Sequence, residues 1–131
     1  IMKNKMIKNF LIISCIGKND KLGLRINKDF FIHVFKHENN NEHLVGEILT
    51  FLNNHNVKLD ENFSIIVNQG PGSFSGTRIS LAVAKGLEIS KKIKLFGYKS
   101  TDLEVFNQEN IEKLIRENLI EKKLIKPIYL S

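Results

Sequence analysis

The stretch FSIIVNQGPGSFSGTR, from Phe63 to Arg78, decides the fold of this chain. Its first six residues, Phe63 to Asn68, are rich in β-branched apolar side chains, which is typical of a buried strand. Gly70-Pro71-Gly72 then predicts an abrupt turn, because glycine and proline favour backbone angles that leave a strand. Hydroxyl side chains that can cap a helix follow. The stretch therefore predicts a strand, a tight turn and a helix that continues to about Ser90.

The segments on either side extend this unit into an α/β fold. Three apolar or alternating segments upstream are joined by short polar turns, which predicts an antiparallel meander. An amphipathic helix separates the meander from the decisive stretch, and a short strand and a charged helix follow it. The predicted elements are strands at Asn9–Cys15, Lys21–Ile26, Phe30–Phe35, Phe63–Asn68 and Lys94–Gly97, and helices at Glu42–Asn54, Gly76–Ser90 and Asn110–Lys123. This order predicts a mixed five-stranded sheet flanked by helices.

Composition limits the classes of protein to consider. The chain has 131 residues and a net charge of +6, with 42% hydrophobic residues, as in a globular domain. No apolar run approaches the roughly 20 residues of a membrane span, so we expect no membrane association and a cytoplasmic protein. The single cysteine, Cys15, excludes a disulfide within the chain. The basic residues fit either an anionic partner such as tRNA or an ordinary solvated surface.

The glycine turn has two interpretations. Free amides at the start of a helix, with Arg78 nearby, favour an anion such as phosphate. However, the third glycine falls one residue late for the dinucleotide fingerprint, and Thr77-Arg78 replaces the Lys-Ser/Thr of a P-loop. A purely structural turn is therefore an equal alternative. The residues of the phosphate interpretation are Gly70, Gly72, Ser73, Gly76 and Arg78.

The helix after the turn carries two adjacent stripes. Ile79, Val83 and Leu87 form an apolar ridge, and Ala82 and Gly86 form a strip of small residues beside it. Small residues spaced by four allow another helix to approach closely. The strip indicates either packing within the domain or a surface shared with a partner.

The stretch NQGPGSFSGTRISLAVAKGLEI, from Asn68 to Ile89, resembles the signature of the TsaB (YeaZ) family. Weaker resemblances lie at Phe96 to Leu103, at Asn40 to Glu42 and at the terminal Pro127 to Ser131. The resemblance implies an actin-like (RNase H-like) fold and a role in adding the threonylcarbamoyl group to adenosine 37 of tRNA. It further implies a non-catalytic scaffold or activator subunit that binds the catalytic subunit TsaD, together with the ATPase TsaE. Older descriptions of this superfamily call it M22 peptidase-like.

The resemblance also implies which residues meet a partner. The two helices after the meander would pack against the equivalent pair of TsaD, or of a second copy in a homodimer. The residues expected there are Leu44, Val45, Gly46, Ile48, Ile79, Ala82, Val83, Gly86 and Leu87. No metal site and no intrinsic cofactor are expected, and ATP or ADP would be bound only jointly with a partner. Direct contact with tRNA is left open.

Departures from the family pattern shape the remaining expectations. Members usually carry an Ile-Asp-Thr-Ser sequence after the first strand, whereas Ser14-Cys15-Ile16 contains no acid. We therefore expect no independent nucleotide chemistry. Only a short segment joins the Leu103 region to the terminal residues, so we expect residues 1–108 to form the actin-like domain and residues 109–131 to be a remnant of a second lobe that is largely lost.

Two other functions remain as alternatives. The first is a stand-alone phosphate- or nucleotide-binding protein that uses the Gly70 to Arg78 turn. The second is a peptidase, which needs an activated nucleophile or a metal cluster. The histidines lack the spacing of a metal motif, and Cys15 has no evident partner; these histidines are His33, His37, His43 and His55.

Overall fold

A computed structural model describes residues 7–35, 41–72, 74–122 and 125–128. They form a five-stranded mixed sheet with three α-helices. The strands are β1 (Asn9–Ser14), β2 (Lys21–Ile26), β3 (Asp29–Val34), β4 (Phe63–Asn68) and β5 (Lys94–Tyr98). The helices are α1 (Asn41–Asn54), α2 (Phe74–Lys91) and α3 (Gln108–Arg116), with a short 3₁₀ turn at Ser100–Asp102.

The sheet has the order β3-β2-β1-β4-β5. The first three strands pair antiparallel, which confirms the predicted meander. Asn27 and Lys28 both take positive φ angles, 50° and 77°, as a two-residue hairpin turn requires. β4 then pairs parallel with β1, and β5 pairs parallel with β4. Parallel neighbours need crossover connections, and α1 and α2 supply them.

The sheet separates two apolar cores. Alternation along β1 sends Leu11 and Ile13 to one face and Phe10 and Ile12 to the other, and all four are fully buried. The first face is covered by α1 and α2, and the second by α3. All six residues of β4 are buried because this strand lies between neighbours and has helices on both faces. The decisive stretch therefore occupies the centre of the molecule.

The two edges of the sheet differ in whether another segment of the chain pairs with them. Beyond β5, Gly97 and Glu121 exchange two backbone hydrogen bonds of 2.8 Å each and form an isolated antiparallel bridge. The chain after α3 thus covers part of this edge. β3 forms the other edge and pairs only with β2 among the described residues.

The structure corrects the predicted end of α3. The helix was predicted to reach Lys123 but ends at Arg116. Asn118 takes φ 60°, its N–H donates to the carbonyl of Ile115, and the N–H of Leu119 donates to that of Leu114. This pair of bonds is a Schellman cap, which reverses the chain. Leu119, which lies beyond the end of the helix and inside its predicted range, is 40% exposed.

The other predicted boundaries agree with the structure to within one or two residues. Asn40, which belongs to one of the weaker family resemblances, lies outside the described residues. α3 shares a core with β1, β4 and β5 through Ile111, Leu114 and Ile115. The described part of residues 109–131 therefore packs on the same sheet, and its interpretation as a remnant of a second lobe stays a prediction.

Candidate partner surface and glycine turn

The outer surface of α1 and α2 is the first candidate site. The two helices lie side by side on one face of the sheet. α1 is held there by Leu44, Ile48, Phe51 and Leu52, each no more than 8% exposed. Leu44 and Ile48 were predicted to contact a partner, and this is wrong for the described conformation because both side chains face the core. Sequence periodicity alone could not separate them from their apolar neighbours on α1.

The neighbouring apolar residues on α1 face outward. Val45 is 41% exposed, and Leu49, which is not among the residues predicted for the partner surface, is 44% exposed. On α2, Ala82 and Gly86 are exposed, and Ile89 beyond them is 74% exposed. The ridge of Ile79, Val83 and Leu87 is half-buried against the core. The exposed set, hereafter the outer helix face, consists of Val45, Gly46, Leu49, Ala82, Gly86 and Ile89.

The two glycines of the outer helix face have no internal packing role. A Cβ atom built on Gly46 or on Gly86 would meet no heavy atom within 4 Å. Each glycine costs a helix interior about 1 kcal/mol relative to alanine. By contrast, a Cβ atom on Gly23 would lie 2.9 Å from Ile12. Of the two explanations for the small-residue strip, packing within the domain is therefore the one that the described residues do not support.

The glycine turn after β4 is the second candidate site. Gly70 takes φ 95°, its N–H donates to Asn68 Oδ1 at 2.8 Å, and its carbonyl accepts from Ser100 N at 3.0 Å. Ser100 Oγ donates to the carbonyl of Pro71, also at 3.0 Å. A Cβ atom on Gly72 would overlap the side chain of Ile16. The turn is thus fixed by internal bonds and by close contact with the end of β1.

The phosphate residues are only partly brought together. Gly76 is buried in the first part of α2, Arg78 is exposed one residue beyond Thr77, and Ser73 lies outside the described residues. The Gly70 amide, which the phosphate interpretation would offer to an anion, already bonds Asn68. The role of these residues in phosphate binding stays a prediction.

A cleft of about 490 Å³ with a mixed polar and apolar lining lies beside the turn. It is bounded by the loop between β1 and β2 and by the segment after β5. Lys18 and Lys21 line it, as do Ser14, Asn68 and Ser100, and Asn68 Nδ2 donates to Ser14 Oγ at 3.2 Å. In open α/β sheets such clefts outside the carboxyl ends of strands are where ligands bind. Lys18, Lys21 and Asn68 could not be identified from local sequence patterns, because their proximity depends on the sheet order.

The family's usual aspartate after the first strand is absent from Ser14-Cys15-Ile16, but a carboxylate lies nearby in the next loop. Asp20, in the loop between β1 and β2, accepts hydrogen bonds from the backbone N–H groups of Gly17 and Lys18 at 2.9 and 3.1 Å. This carboxylate is 9% exposed and shapes the loop.

Tyr98 is fully buried near Ser14 and Asn68, and burial raises the pKa of its hydroxyl.

The described residues give no support to the peptidase alternative. Burial and the nearby Asp20 carboxylate raise the pKa of the Cys15 thiol, so it stays protonated. His33 Nε2 lies 3.4 Å from Glu47 Oε1, and its ring packs near Phe35 and Phe51. Among the described residues, no group of three or more His, Cys, Asp or Glu side chains is arranged to hold a metal ion. His37 lies outside them.

The sheet order, with helices on both faces, is that of an actin-like domain. Solved structures share this arrangement. YeaZ from Pseudomonas aeruginosa superposes with a TM-score of 0.64 at 19% identity, covering 85% of this chain and 50% of that one. A second structure, described as an uncharacterised protein with similarity to peptidase YeaZ from Pseudomonas aeruginosa, gives a TM-score of 0.59 at 19% identity and covers 70% of this chain and 43% of that one.

Sequence comparison gives the family. Residues 35–118 match the family model described as TsaD, tRNA N6-adenosine threonylcarbamoyltransferase. The tRNA threonylcarbamoyladenosine biosynthesis protein TsaB of Buchnera aphidicola subsp. Baizongia pistaciae is 33% identical over 96 residues, which are 70% of this chain and 43% of that protein. The chain belongs to the TsaB (YeaZ) family, within the group of proteins that this model covers. It spans less than half the length of that curated relative.

Within the described residues, no helix is both long and apolar enough to cross a membrane.

Proposed function

We propose that this chain is a non-catalytic subunit in the biosynthesis of threonylcarbamoyladenosine in tRNA, and that it binds a TsaD-like catalytic subunit through the outer helix face. Family membership supports the pathway. The observation that carries the binding surface is the pair of open helix glycines, Gly46 and Gly86, beside exposed Val45, Leu49 and Ile89. A helix keeps costly glycines on an exposed face when a second backbone must approach it closely.

The proposed interaction has a simple physical basis. Two helices of the partner would lie across α1 and α2, with their side chains over the glycines and the small Ala82. Exposed apolar side chains on both sides would then leave water, at about 25 cal/mol per Å² of apolar area. Any ATP or ADP, and a TsaE-like ATPase, would join this assembly at its interface. The chain's own part is to position the catalytic subunit, and tRNA would contact it indirectly.

The test replaces each glycine by a large residue. Gly46→Leu and Gly86→Leu have open space around them in the isolated chain, so we expect both to fold, with melting temperatures at or above that of the wild type. Against the TsaD-like subunit of the same organism, each variant should bind at least about tenfold more weakly, equivalent to about 1.4 kcal/mol. Isothermal titration calorimetry measures both the affinity and the stoichiometry.

The matched controls are Gly46→Ala and Gly86→Ala, which add one methyl group and should change affinity by much less than the leucine variants. Unchanged affinity in both leucine variants would place the interface elsewhere. Failure of the wild-type chain to form a complex at micromolar concentration would contradict the proposed function itself.

A second candidate function follows from the cleft beside the glycine turn. Lys18 and Lys21 line it with the hydroxyls of Ser14 and Ser100, groups that can bind a phosphate, and the Glu104 carboxylate lines it as well and opposes an anion. Under this alternative the isolated chain binds a nucleotide or phosphate beside the Gly70 turn. The bonded Gly70 amide and the contact of Gly72 with Ile16 weigh against it.

Calorimetry with Mg-ATP and with inorganic phosphate distinguishes the two functions. Heat of binding that disappears in the double variant Lys18→Ala/Lys21→Ala would support the nucleotide function. No heat and no shift in melting temperature would remove it.

A further inference from the structure

The free edge of β3 presents unpaired backbone groups. The N–H of Phe35 donates to the carbonyl of Asp20 at 3.1 Å, and Val34 lies opposite Lys21. Because bonded and non-bonded pairs alternate along an antiparallel ladder, residues 29, 31 and 33 direct their N–H and C=O groups toward β2. The groups of Phe30, Ile32 and Val34 point the other way. Among the described residues, no strand pairs with that side.

The side chains of this edge are apolar and exposed. Phe31 is 36% exposed, Ile32 45% and Val34 56%. Natural proteins usually protect such an edge with lysines, proline or a bulge, since it otherwise pairs with another strand. β3 contains none of these, and Asp29 at its start is its sole carboxylate. The edge therefore has both the hydrogen-bonding groups and the apolar side chains of a docking strand.

We propose that β3 pairs antiparallel with β3 of a second copy of this chain, about a two-fold axis at Phe31. In this register Phe30 lies opposite Ile32 of the second copy, and both residues direct their free backbone groups at each other. Phe31 lies opposite its own counterpart. Asp29 lies opposite His33 of the second copy. The two sheets join into one of ten strands.

Complementarity favours a second copy over an unrelated peptide. An interface about a two-fold axis uses the same patch twice, so each residue must suit its opposite number in the same strand. Here an apolar residue faces an apolar one at Phe30/Ile32, and two aromatic rings meet on the axis, which is a favourable cross-strand pair. Asp29 makes no ion pair among the described residues, and the His33 side chain is 33% exposed. The register places the Asp29 carboxylate opposite the His33 ring at both ends of the paired strands, where Glu47 Oε1 of the same chain already lies 3.4 Å from His33 Nε2.

Disulfide crosslinking tests the register. Opposite residues of a non-hydrogen-bonded pair have Cα atoms about 4.5 Å apart, within the range a disulfide spans. Phe31→Cys should therefore form a covalent dimer under mild oxidation. Ile89→Cys and Val105→Cys, at side chains 74% and 60% exposed, are controls for random collision. Native Cys15 is buried and does not interfere.

A Phe31→Cys variant that crosslinks no faster than Val105→Cys would overturn the proposal. Faster crosslinking at Ile89→Cys than at Phe31→Cys would also overturn it, since that result makes the outer helix face the surface between two copies.

Sedimentation equilibrium tests the pairing without a crosslink. Ile32→Pro removes an N–H that does not bond β2, so β3 keeps its ladder while the proposed dimer loses two bonds. We expect a wild-type dimer at about 100 µM and a monomeric variant, a change of at least tenfold in dissociation constant. Ile32→Val should remain dimeric.

Asp29→Lys provides a second variant that does not alter the strand backbone. It replaces the carboxylate opposite His33 by an ammonium group, which cannot accept a hydrogen bond from the ring, and should weaken the dimer at least tenfold. A wild-type monomer, or dimers unaffected by both variants, would overturn the proposal. Gly86→Leu should leave this dimer intact, so the test of β3 pairing does not depend on whether the outer helix face binds a TsaD-like subunit.

Discussion

Gly97 and Gly86 are both glycines, but one lies in crowded surroundings and the other in open space. A Cβ atom on Gly97 would overlap the side chain of Gln69, whereas one on Gly86 would meet nothing. Gln69 binds residues 126–128 through two hydrogen bonds. Its side-chain Nε2 donates to the backbone carbonyl of Lys126 at 2.8 Å, and its backbone carbonyl accepts from Ile128 N at 2.7 Å. Gly97 therefore leaves room for a side chain that ties the terminal segment to the glycine turn.

This contrast makes a prediction about two identical substitutions. Gly97→Ala should lower the free energy of unfolding by about 1–3 kcal/mol, because Gln69 must move and release its bonds. Gly86→Ala should raise it by up to about 1 kcal/mol through helix propensity. Urea denaturation of the two variants measures both changes. Equal effects of the same sign would contradict the packing described for Gly97.

Cys15 makes stability depend on alkaline pH. Its pKa lies above the ordinary value of 9.0 in the folded chain, so the folded state favours the protonated thiol. The contribution is fully present below about pH 9 and is lost as the pH rises further, because the unfolded chain then releases the proton. The loss approaches about 1.4 kcal/mol per pH unit.

Denaturation between pH 8 and 10 measures this slope. Cys15→Ala should lower the stability at every pH, through the lost packing, but should flatten the fall above about pH 9. The slope separates the titration of the thiol from its packing role. A variant whose stability falls as steeply as that of the wild type would show that Cys15 does not contribute to the pH dependence.

Some of the candidate residues could be predicted and others could not. The exposure of Ala82 and Gly86 follows from their position opposite the buried face of α2, which periodicity reveals. Leu44 and Ile48 were misassigned because α1 carries apolar residues on two sides, and only tertiary packing selects the inner one. The bonds from Ser100 to the glycine turn join residues about thirty positions apart, and no local pattern predicts them.

At the scale of elements, the helix ends carry their own signals. α1 and α3 both finish in a Schellman cap with asparagine in the left-handed region, at Asn56 and Asn118. Asparagine tolerates this conformation better than most residues, although glycine is commoner there. The charged pattern beyond Arg116 concealed the second cap in the sequence, which is why α3 was predicted too long.

Substitutions at Asn118 test the cap. Asn118→Ala should destabilise the chain by about 1 kcal/mol, since alanine pays a steric penalty at positive φ, while Asn118→Gly should be neutral or stabilising. Glu117→Ala, at a position with φ −83°, is the matched control and should change stability little. Thermal unfolding followed by circular dichroism ranks the three. An alanine variant at 118 as stable as the glycine variant would contradict the cap.

The order of the elements was more predictable than their ends. Polar turns between short apolar segments predicted the meander, and the glycine turn after β4 predicted the start of α2 close to its observed position at Phe74. Strand boundaries shifted by one residue at β1, β3 and β5, because the hydrogen-bond ladder and not apolarity sets where a strand begins.

At the scale of the whole molecule, one sheet serves two cores. The α1–α2 face and the α3 face are each filled by alternate residues of the same strands. Both proposed contacts use parts of the surface that these cores leave apolar: the outer helix face on one side and the β3 edge at one end. Sequence patterns predicted the sheet and its covering helices, whereas the location of the exposed apolar patches required the strand order.

The unequal edges of the sheet limit how large an assembly can grow. Glu121 already pairs with Gly97 and obstructs part of the β5 edge, whereas no described strand pairs with the outer side of β3. A sheet that is open to a neighbour at one edge and obstructed at the other favours pairs over an extended ribbon. Raising the concentration should therefore convert monomers into dimers without longer assemblies, because the bridge at Gly97 opposes strand addition at the second edge.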